Sequence, residues 1–143
     1  MSADQPLVFV DTNVLVYAYD RSAGQKWDRA RALVDQVWSV NRGCVSVQVL
    51  QEFYVAVTQK VQRPLAYQAA ADIVRDLMFW RLHAPVGEDI LGAIDLQRRH
   101  KISFWDAMIV WSAKRLDCTT LWSEDLSPNR AYDGVLVQNP FLS

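Results

Sequence analysis

A short apolar run that ends on an aspartate is the feature that most constrains the fold of this chain. Residues 7–10, LVFV, are typical of a buried strand, and Asp11 follows them directly. In an open α/β sheet, ligands bind just outside the carboxyl ends of the strands. The run therefore predicts a buried strand followed by a carboxylate at the edge where such proteins hold their ligands.

The rest of the chain alternates between strand-like and helix-like segments, without repeats or a linker. Strands are predicted near 7–10, 44–45, 83–86, 119–122 and 134–138, and helices near 25–41, 46–61, 64–82, 88–100 and 104–116. This order predicts an α/β fold with three layers, α/β/α, around a central, mostly parallel sheet of about five strands. The length of 143 residues and the hydrophobic content of 51% predict a single domain over residues 1–143.

The charge of the chain is nearly balanced, with 15 basic and 16 acidic residues. No global positive field attracts nucleic acid, so any polyanion must be bound locally. Cys44 and Cys118 lie in apolar segments and are predicted to be core thiols, and the cysteines and histidines lack zinc-ligand spacing. No apolar run approaches the roughly 20 residues that span a membrane, and the amino terminus does not resemble a signal peptide. We therefore predict a cytoplasmic protein.

Four acidic residues fall at or near the ends of predicted elements. Asp11 and Asp125 follow predicted strands, and Asp106 lies just inside the start of a predicted helix. Glu52 lies about two turns into the helix after the second strand. Because parallel strands end at the same edge of a sheet, these four carboxylates are predicted to meet at one rim.

Each acid also has an ordinary explanation. Asp11 can cap the segment that follows it, and Ser103 and Asp106 have the spacing of a capping box. Asp125 can stabilise a turn, and Glu52 can be a solvated surface residue. Their joint occurrence favours a site, because clustered carboxylates repel one another unless a cation compensates them. Mg²⁺ fits best, since it binds carboxylates while it keeps waters and accepts phosphate oxygens.

Four segments carry a resemblance to a known family: VFVDTNVLVYA, VSVQVLQEFYVAV, SFWDAMIV and LWSEDL, in this order and with these separations. They resemble the PIN domain, and most closely the VapC-type toxin ribonucleases of bacterial toxin–antitoxin pairs, over essentially the whole chain. The resemblance implies an endoribonuclease that depends on Mg²⁺ or Mn²⁺. Its acidic quartet, which would bind the metal and carry the catalysis, would be Asp11, Glu52, Asp106 and Asp125.

Three polar residues match supporting positions of the same family pattern. Ser123 matches the hydroxyl two residues before the last acid. Thr12 and Asn13 match the polar pair after the first acid, where they would orient Asp11 or a metal-bound water. Glu124 is an additional acid whose role the pattern leaves open.

The resemblance also implies three partners: an RNA substrate, a cognate antitoxin protein and a second copy of the chain in a homodimer. Trp105 adjoins Asp106 and is the tryptophan to consider for base stacking, with packing as the alternative. Basic residues that could contact flanking RNA phosphates, or could be ordinary surface charges, are Arg21, Lys26, Arg98, Arg99 and Lys101.

Other classes with an acidic pocket fit the residues less well. A haloacid-dehalogenase-type phosphatase requires a second aspartate two residues after the first, and the residue here is Asn13. A receiver-type signalling domain requires acidic neighbours on the first strand and a lysine after the last, but Val10 precedes Asp11 and residues 135–143 contain no lysine. A PIN fold used only for binding is expected to have a broken quartet, and this quartet is complete. A PIN nuclease that processes RNA without being a toxin is the alternative function.

Overall fold

A computed structural model describes residues 5–142 of the chain. Its strands are β1 (Val8–Val10), β2 (Gly43–Ser46), β3 (Arg81–His83), β4 (Thr120–Trp122), β5 (Ala131–Tyr132) and β6 (Val135–Gln138). Its α-helices are α1 (Thr12–Ala18), α2 (Gln25–Val40), α3 (Val47–Gln59), α4 (Tyr67–Leu77), α5 (Gly87–His100) and α6 (Phe104–Arg115). A short 3₁₀ helix, Arg21–Ala23, connects α1 to α2.

The strands form one sheet in the order β3-β2-β1-β4-β6-β5. All neighbouring pairs are parallel except β5 and β6, which form an antiparallel hairpin. Val8 of β1 pairs with Gly43 on one side and with Thr120 on the other, so β1 lies at the centre. The backbone N–H of Asp11 donates to the Trp122 carbonyl at 2.9 Å, which extends this pairing beyond the strand. Asp11 therefore lies at the carboxyl rim, beside the end of β4.

Helices cover both faces of the sheet and complete the three predicted layers. Helix α1 packs on α2 and α3, and α3 packs on α4, whereas α5 packs on α6, which contacts β2, β4 and β6. The inner strands are buried accordingly: Phe9, Val10, Val45, Leu121 and Val137 are all fully buried. These strands therefore form the centre of the core. Burial of each aliphatic or phenylalanine side chain contributes about 1.5–3 kcal/mol to the free energy of unfolding.

The predicted α/β fold and its mostly parallel sheet are confirmed, with one strand more than expected. The additional strand, β5, has two residues and is too short to produce a periodic pattern. Asp133 and Gly134, both at positive φ, form the turn that brings β5 back to β6. Among the predicted helix starts, Ser46 caps α3, since its hydroxyl accepts a hydrogen bond from the Val49 backbone N–H at 3.3 Å.

The predicted helix 64–82 and strand 83–86 have wrong boundaries. The helix begins only at Tyr67 and ends at Leu77, and β3 begins at Arg81. The chain leaves the helix early because Trp80 packs directly over Gly43: a Cβ at Gly43 would lie 2.5 Å from the indole ring. This contact joins residues distant in the sequence, so local periodicity does not reveal it.

Cys44 and Cys118 are buried and free, as predicted for core thiols. A buried thiol of this kind packs as a small apolar side chain. Within residues 5–142, no helix combines the length and the apolar character needed to span a membrane.

Candidate active site

Asp11 is a buried side chain at the N-terminus of α1. Its Oδ1 accepts a hydrogen bond from the Thr12 backbone N–H at 2.7 Å, and it is the N-cap of the helix. Its Oδ2 accepts a second hydrogen bond, at 2.8 Å, from the hydroxyl of Ser123, 112 residues away. The capping explanation therefore holds, but a cap requires neither a carboxylate that is only 5% exposed nor a second donor from another strand.

The loop after β4 is attached to α1 through Asn13. Its Nδ2 donates to Asp125 Oδ2 at 3.0 Å, and its Oδ1 accepts from the Glu124 backbone N–H at 3.1 Å. The Ser123 hydroxyl accepts from the Asp125 backbone N–H at 3.2 Å while it donates to Asp11. The exposed Asp125 is thus oriented by Asn13 and Ser123, which both match supporting positions of the family pattern.

Glu52 lies on the surface of α3 and faces the start of α1. Its Oε1 accepts a hydrogen bond from the Thr12 hydroxyl at 2.7 Å. Its Oε2 accepts one from Gln48 at 3.3 Å, and the Gln48 amide also lies 3.4 Å from the Trp105 carbonyl oxygen. Gln48 was missed by the sequence analysis; the available signal is its spacing of one helical turn before Glu52. These bonds connect α1, α3 and α6 around the rim.

Asp106 lies in the first turn of α6 and is half-buried. Its backbone N–H donates to the Ser103 hydroxyl at 3.1 Å, which is one half of the proposed capping box. Between residues 5 and 142, the reciprocal bond from the Ser103 N–H to the Asp106 carboxylate is not formed. The pKa of Asp106 is raised first by burial and then by the negative charges of Asp125 and Glu52, while Ser103 opposes the shift. This carboxylate therefore faces the other acids rather than closing the cap.

The carboxylates of the quartet share one electrostatic environment. Burial raises the pKa of Asp11 from 3.8 to about 7, although hydrogen bonds from Ser123 and Thr12 lower it. The charges of Asp125 and Glu52 raise it further. In the part of the chain that the structure describes, none of the four forms an ion pair with a basic side chain. Uncompensated negative charge is therefore concentrated at this rim.

The donor set fits a hard divalent cation, because four carboxylates without a basic partner are the ligands that Mg²⁺ and Mn²⁺ prefer. Across residues 5–142, however, no three histidine, cysteine or acidic side chains are grouped closely enough to hold an ion as they stand. An ion would have to bring its ligands closer together. Glu52 and Asp125 are exposed and can move, whereas Asp11 is held by two hydrogen bonds.

Glu124, the additional acid, has partners of its own. Its carboxylate forms an ion pair with Lys26 and accepts a hydrogen bond from the Tyr17 hydroxyl at 3.0 Å. The Lys26 ammonium also lies 4.9 Å from the ring centre of Tyr17 and 5.5 Å from that of Phe141. The charge of Glu124 is thereby compensated, unlike the charges of the quartet.

Two other basic residues considered for RNA contact are also engaged. Arg99 donates two hydrogen bonds to the Asp133 carboxylate, at 2.8 and 2.6 Å. The Arg21 guanidinium lies 5.8 Å from the ring centre of Trp27. Trp105 differs, because it is 63% exposed and does not belong to the core of the monomer.

An open groove of about 920 Å³ lies beside the rim, between α1 and α3. Five of the residues described above line it: Thr12, Asn13, Tyr17, Glu52 and Asp125. Apolar side chains of the same helices, including Val16 and Val55, form part of its wall. Glu52 and Asp125 therefore lie at the wall of a space large enough to hold a ligand.

The fold and the rim together define an α/β protein with a carboxylate-lined site at the carboxyl ends of its parallel strands. The family model described as PIN domain matches residues 8–133, and the chain belongs to this family. The family resemblance found in the sequence is thereby confirmed. No curated protein sequence matches the chain.

Solved structures share this fold at low sequence identity. VapC20 of Mycobacterium tuberculosis, a sarcin–ricin loop cleaving toxin, has a TM-score of 0.64 and 20% identity, over 82% of this chain and 89% of that one. VapBC2 from Rickettsia felis, bound to a DNA fragment from its promoter, has a TM-score of 0.65 and 17% identity, over 93% and 98%. DNA-bound VapBC from Salmonella typhimurium has a TM-score of 0.64 and 14% identity, over 95% and 99%.

Proposed function

We propose that this PIN protein is an endoribonuclease that requires Mg²⁺ or Mn²⁺ and acts as the toxin of a toxin–antitoxin pair. The observation that carries the proposal is the concentration of uncompensated carboxylate charge at one rim of the sheet. The likeness of the fold to VapC20, a toxin that cleaves the sarcin–ricin loop, supports RNA as the substrate class. The residues proposed to bind the metal and carry the catalysis are Asp11, Glu52, Asp106 and Asp125.

The contribution of the chain itself to this chemistry is orientation. A bound metal would activate a water molecule and offset the negative charge of the scissile phosphate. Ser123 and the Thr12 backbone N–H hold the two oxygens of Asp11. Asn13 donates to one oxygen of Asp125, Oδ2. Because the two hydrogen bonds of Asp11 exist before any substrate binds, this carboxylate needs little reorganisation when the reaction begins.

A second copy of the chain and an antitoxin are the proposed protein partners. Helix α5 exposes three apolar side chains on one face, Ile90, Leu91 and Ile94, which supports a surface for homodimer formation. The structures from Rickettsia felis and Salmonella typhimurium are of VapBC bound to DNA, which supports an antitoxin partner here. An antitoxin arginine could pair with the rim carboxylates through two parallel hydrogen bonds and replace the charge of the metal. We place this pair in the cytoplasm.

The direct test is cleavage of RNA by the purified protein. Labelled RNA with single-stranded and loop regions should be cut with Mg²⁺ or Mn²⁺ and left intact with EDTA. Asp106→Asn should lower the cleavage rate by roughly 100-fold or more, since a carboxylate proposed to bind the metal is lost. The variant should stay folded, because the cap of α6 is supplied by Ser103.

The matched control is Asp72→Asn, which neutralises an exposed carboxylate on α4, away from the rim. Cleavage that resists EDTA, or equal rates for the two variants, would contradict the proposal. Expression in bacterial cells separates the toxin from the RNA-processing alternative. A toxin arrests growth in a manner that Asp106→Asn abolishes, whereas a processing nuclease leaves growth unchanged.

A further inference from the structure

Lys26 lies on α2, outside the quartet, but a chain of contacts connects it to Asp125. Its ammonium forms an ion pair with the carboxylate of Glu124. The backbone N–H of Glu124 donates to Asn13 Oδ1 at 3.1 Å, and Asn13 Nδ2 donates to Asp125 Oδ2 at 3.0 Å. Tyr17 fixes the same glutamate from α1 through its hydroxyl, at 3.0 Å. Glu124, the residue before Asp125, therefore holds this segment against α1 and α2.

The surroundings of Lys26 differ from those of a lysine that binds phosphate. Besides its ion pair, the ammonium lies 3.5 Å from the Tyr17 hydroxyl oxygen and close to two aromatic rings. The side chains of Lys26 and Glu124 are 44% and 24% exposed, against 66% and 57% for the surface pair Arg75 and Asp72. Solvent screens a partly buried pair less than an exposed one, so the attraction between Lys26 and Glu124 is stronger than that between Arg75 and Asp72.

We propose that Lys26 is a positioning residue for the acidic rim: by neutralising Glu124, it holds the loop after β4 so that Asn13 can orient Asp125. The inference rests on the proposed nuclease function. Without Lys26, Glu124 would carry an uncompensated charge directly beside Asp125, and repulsion between neighbouring carboxylates would move the loop. The additional acid thus has the role of an anchor rather than of a fifth metal ligand.

The first measurement reads the position of Asn13 without any metal or substrate. In an NMR spectrum of ¹⁵N-labelled protein, the side-chain amide of Asn13 gives one pair of signals, assigned by their loss in Asn13→Ser. Lys26→Met should shift or broaden this pair, and Lys26→Arg, which keeps the charge, should leave it close to its original position. The control Arg75→Met removes a cation from the exposed pair on α4 and should not affect these signals.

The second measurement separates positioning from RNA binding. Lys26→Met should lower kcat by between about tenfold and about 100-fold with little change in KM, because a misplaced reacting group slows the chemical step. If Lys26 instead bound an RNA phosphate, its removal would raise KM and make RNA binding less dependent on salt. Adding Glu124→Gln to Lys26→Met should restore part of the lost rate, since the uncompensated charge is then absent.

Two results would overturn the inference: unchanged Asn13 signals with unchanged kcat in Lys26→Met, or a change confined to KM and its salt dependence. Melting temperatures of all variants show whether a loss of activity reflects unfolding, and the double variant remains informative if Lys26→Met alone is unstable. Failure of the proposed function gives a different result. The wild type would then cleave no RNA, while the Asn13 signals would still report whether Lys26 positions the loop.

Discussion

Asp11 caps α1 through Oδ1 and accepts a hydrogen bond from Ser123 through Oδ2. Burial raises the pKa of this carboxyl group to about 7. An asparagine at this position can still cap the helix, since Asn and Asp are comparable N-caps. It cannot carry the charge. Substitution at Asp11 therefore separates the ionisation of the rim from the local structure that supports it.

The stability of the metal-free protein should depend on the ionisation of Asp11. The folded pKa, about 7, lies above the ordinary value of 3.8, so the folded state holds a proton that the unfolded state releases. The stabilising effect of that proton is complete below the ordinary pKa of 3.8, and it is lost as the pH rises through the folded pKa of about 7. The free energy of unfolding should thus fall toward neutral pH, by about 1.4 kcal/mol for each unit of pKa difference.

Urea unfolding in EDTA, at about pH 5 and about pH 8, tests this expectation because a protonation difference is read directly as a pH slope. Asp11→Asn should lose much of the decrease between these two conditions, and Asp72→Asn, the exposed control, should keep it. Parallel pH profiles for the wild type and Asp11→Asn would show that Asp11 ionises in the folded protein as it does in the unfolded chain.

Among the elements, those with strong local signals were predicted from the sequence. Helix α3 has a serine cap and a clear apolar stripe, and α5 and α6 begin within one residue of their predicted starts. The end of α4 was not predictable, because Met78 and Phe79 continue an apolar run although they are 54% and 82% exposed. Tertiary packing of Trp80, rather than local preference, decides where this helix ends.

The contact between Trp80 and Gly43 leads to a prediction for β2. Gly43→Ala should destabilise the protein by about 1–3 kcal/mol, because its Cβ would lie 2.5 Å from the indole ring and the packed core would have to shift. The control is Gly87→Ala at the start of α5, where a Cβ has no neighbour within 4 Å. Thermal unfolding of both variants tests this prediction. Equal melting temperatures would show that the indole ring moves aside without loss of stability.

At the scale of the whole molecule, the sequence predicted that four acids meet at one rim, but not how the segments that carry them are joined. The ends of strands and the starts of helices indicated one rim for all four. The bonds of Asp11 to Ser123 and of Asn13 to Asp125, across 112 residues each, depend on the register of β1 against β4. A single sequence does not contain that register, because any parallel pairing of two short apolar strands is consistent with it.

The proposed antitoxin complex can be tested on the whole molecule. Co-purification with the proposed cognate antitoxin should abolish RNA cleavage, because a bound arginine would compensate the rim carboxylates. Asp106→Asn removes one of those charges and should weaken the complex, whereas Asp72→Asn should leave its affinity unchanged. A stable complex that cleaves RNA at the full rate would mean that the partner binds elsewhere.

The short hairpin of β5 and β6 also affects how the molecule behaves at high concentration. A sheet edge exposes unpaired backbone groups that can recruit strands from other molecules. Here β5 pairs through only two residues, Ala131 and Tyr132, with Leu136 and Val135 in the first half of β6. Next to it, Asp133 forms ion pairs with Arg99 and Lys114, so charged side chains lie at the turn between β5 and β6. This arrangement disfavours strand pairing with other molecules at the β5 edge of the sheet. The carboxyl ends of the strands, where the four acids lie, stay open to ligands.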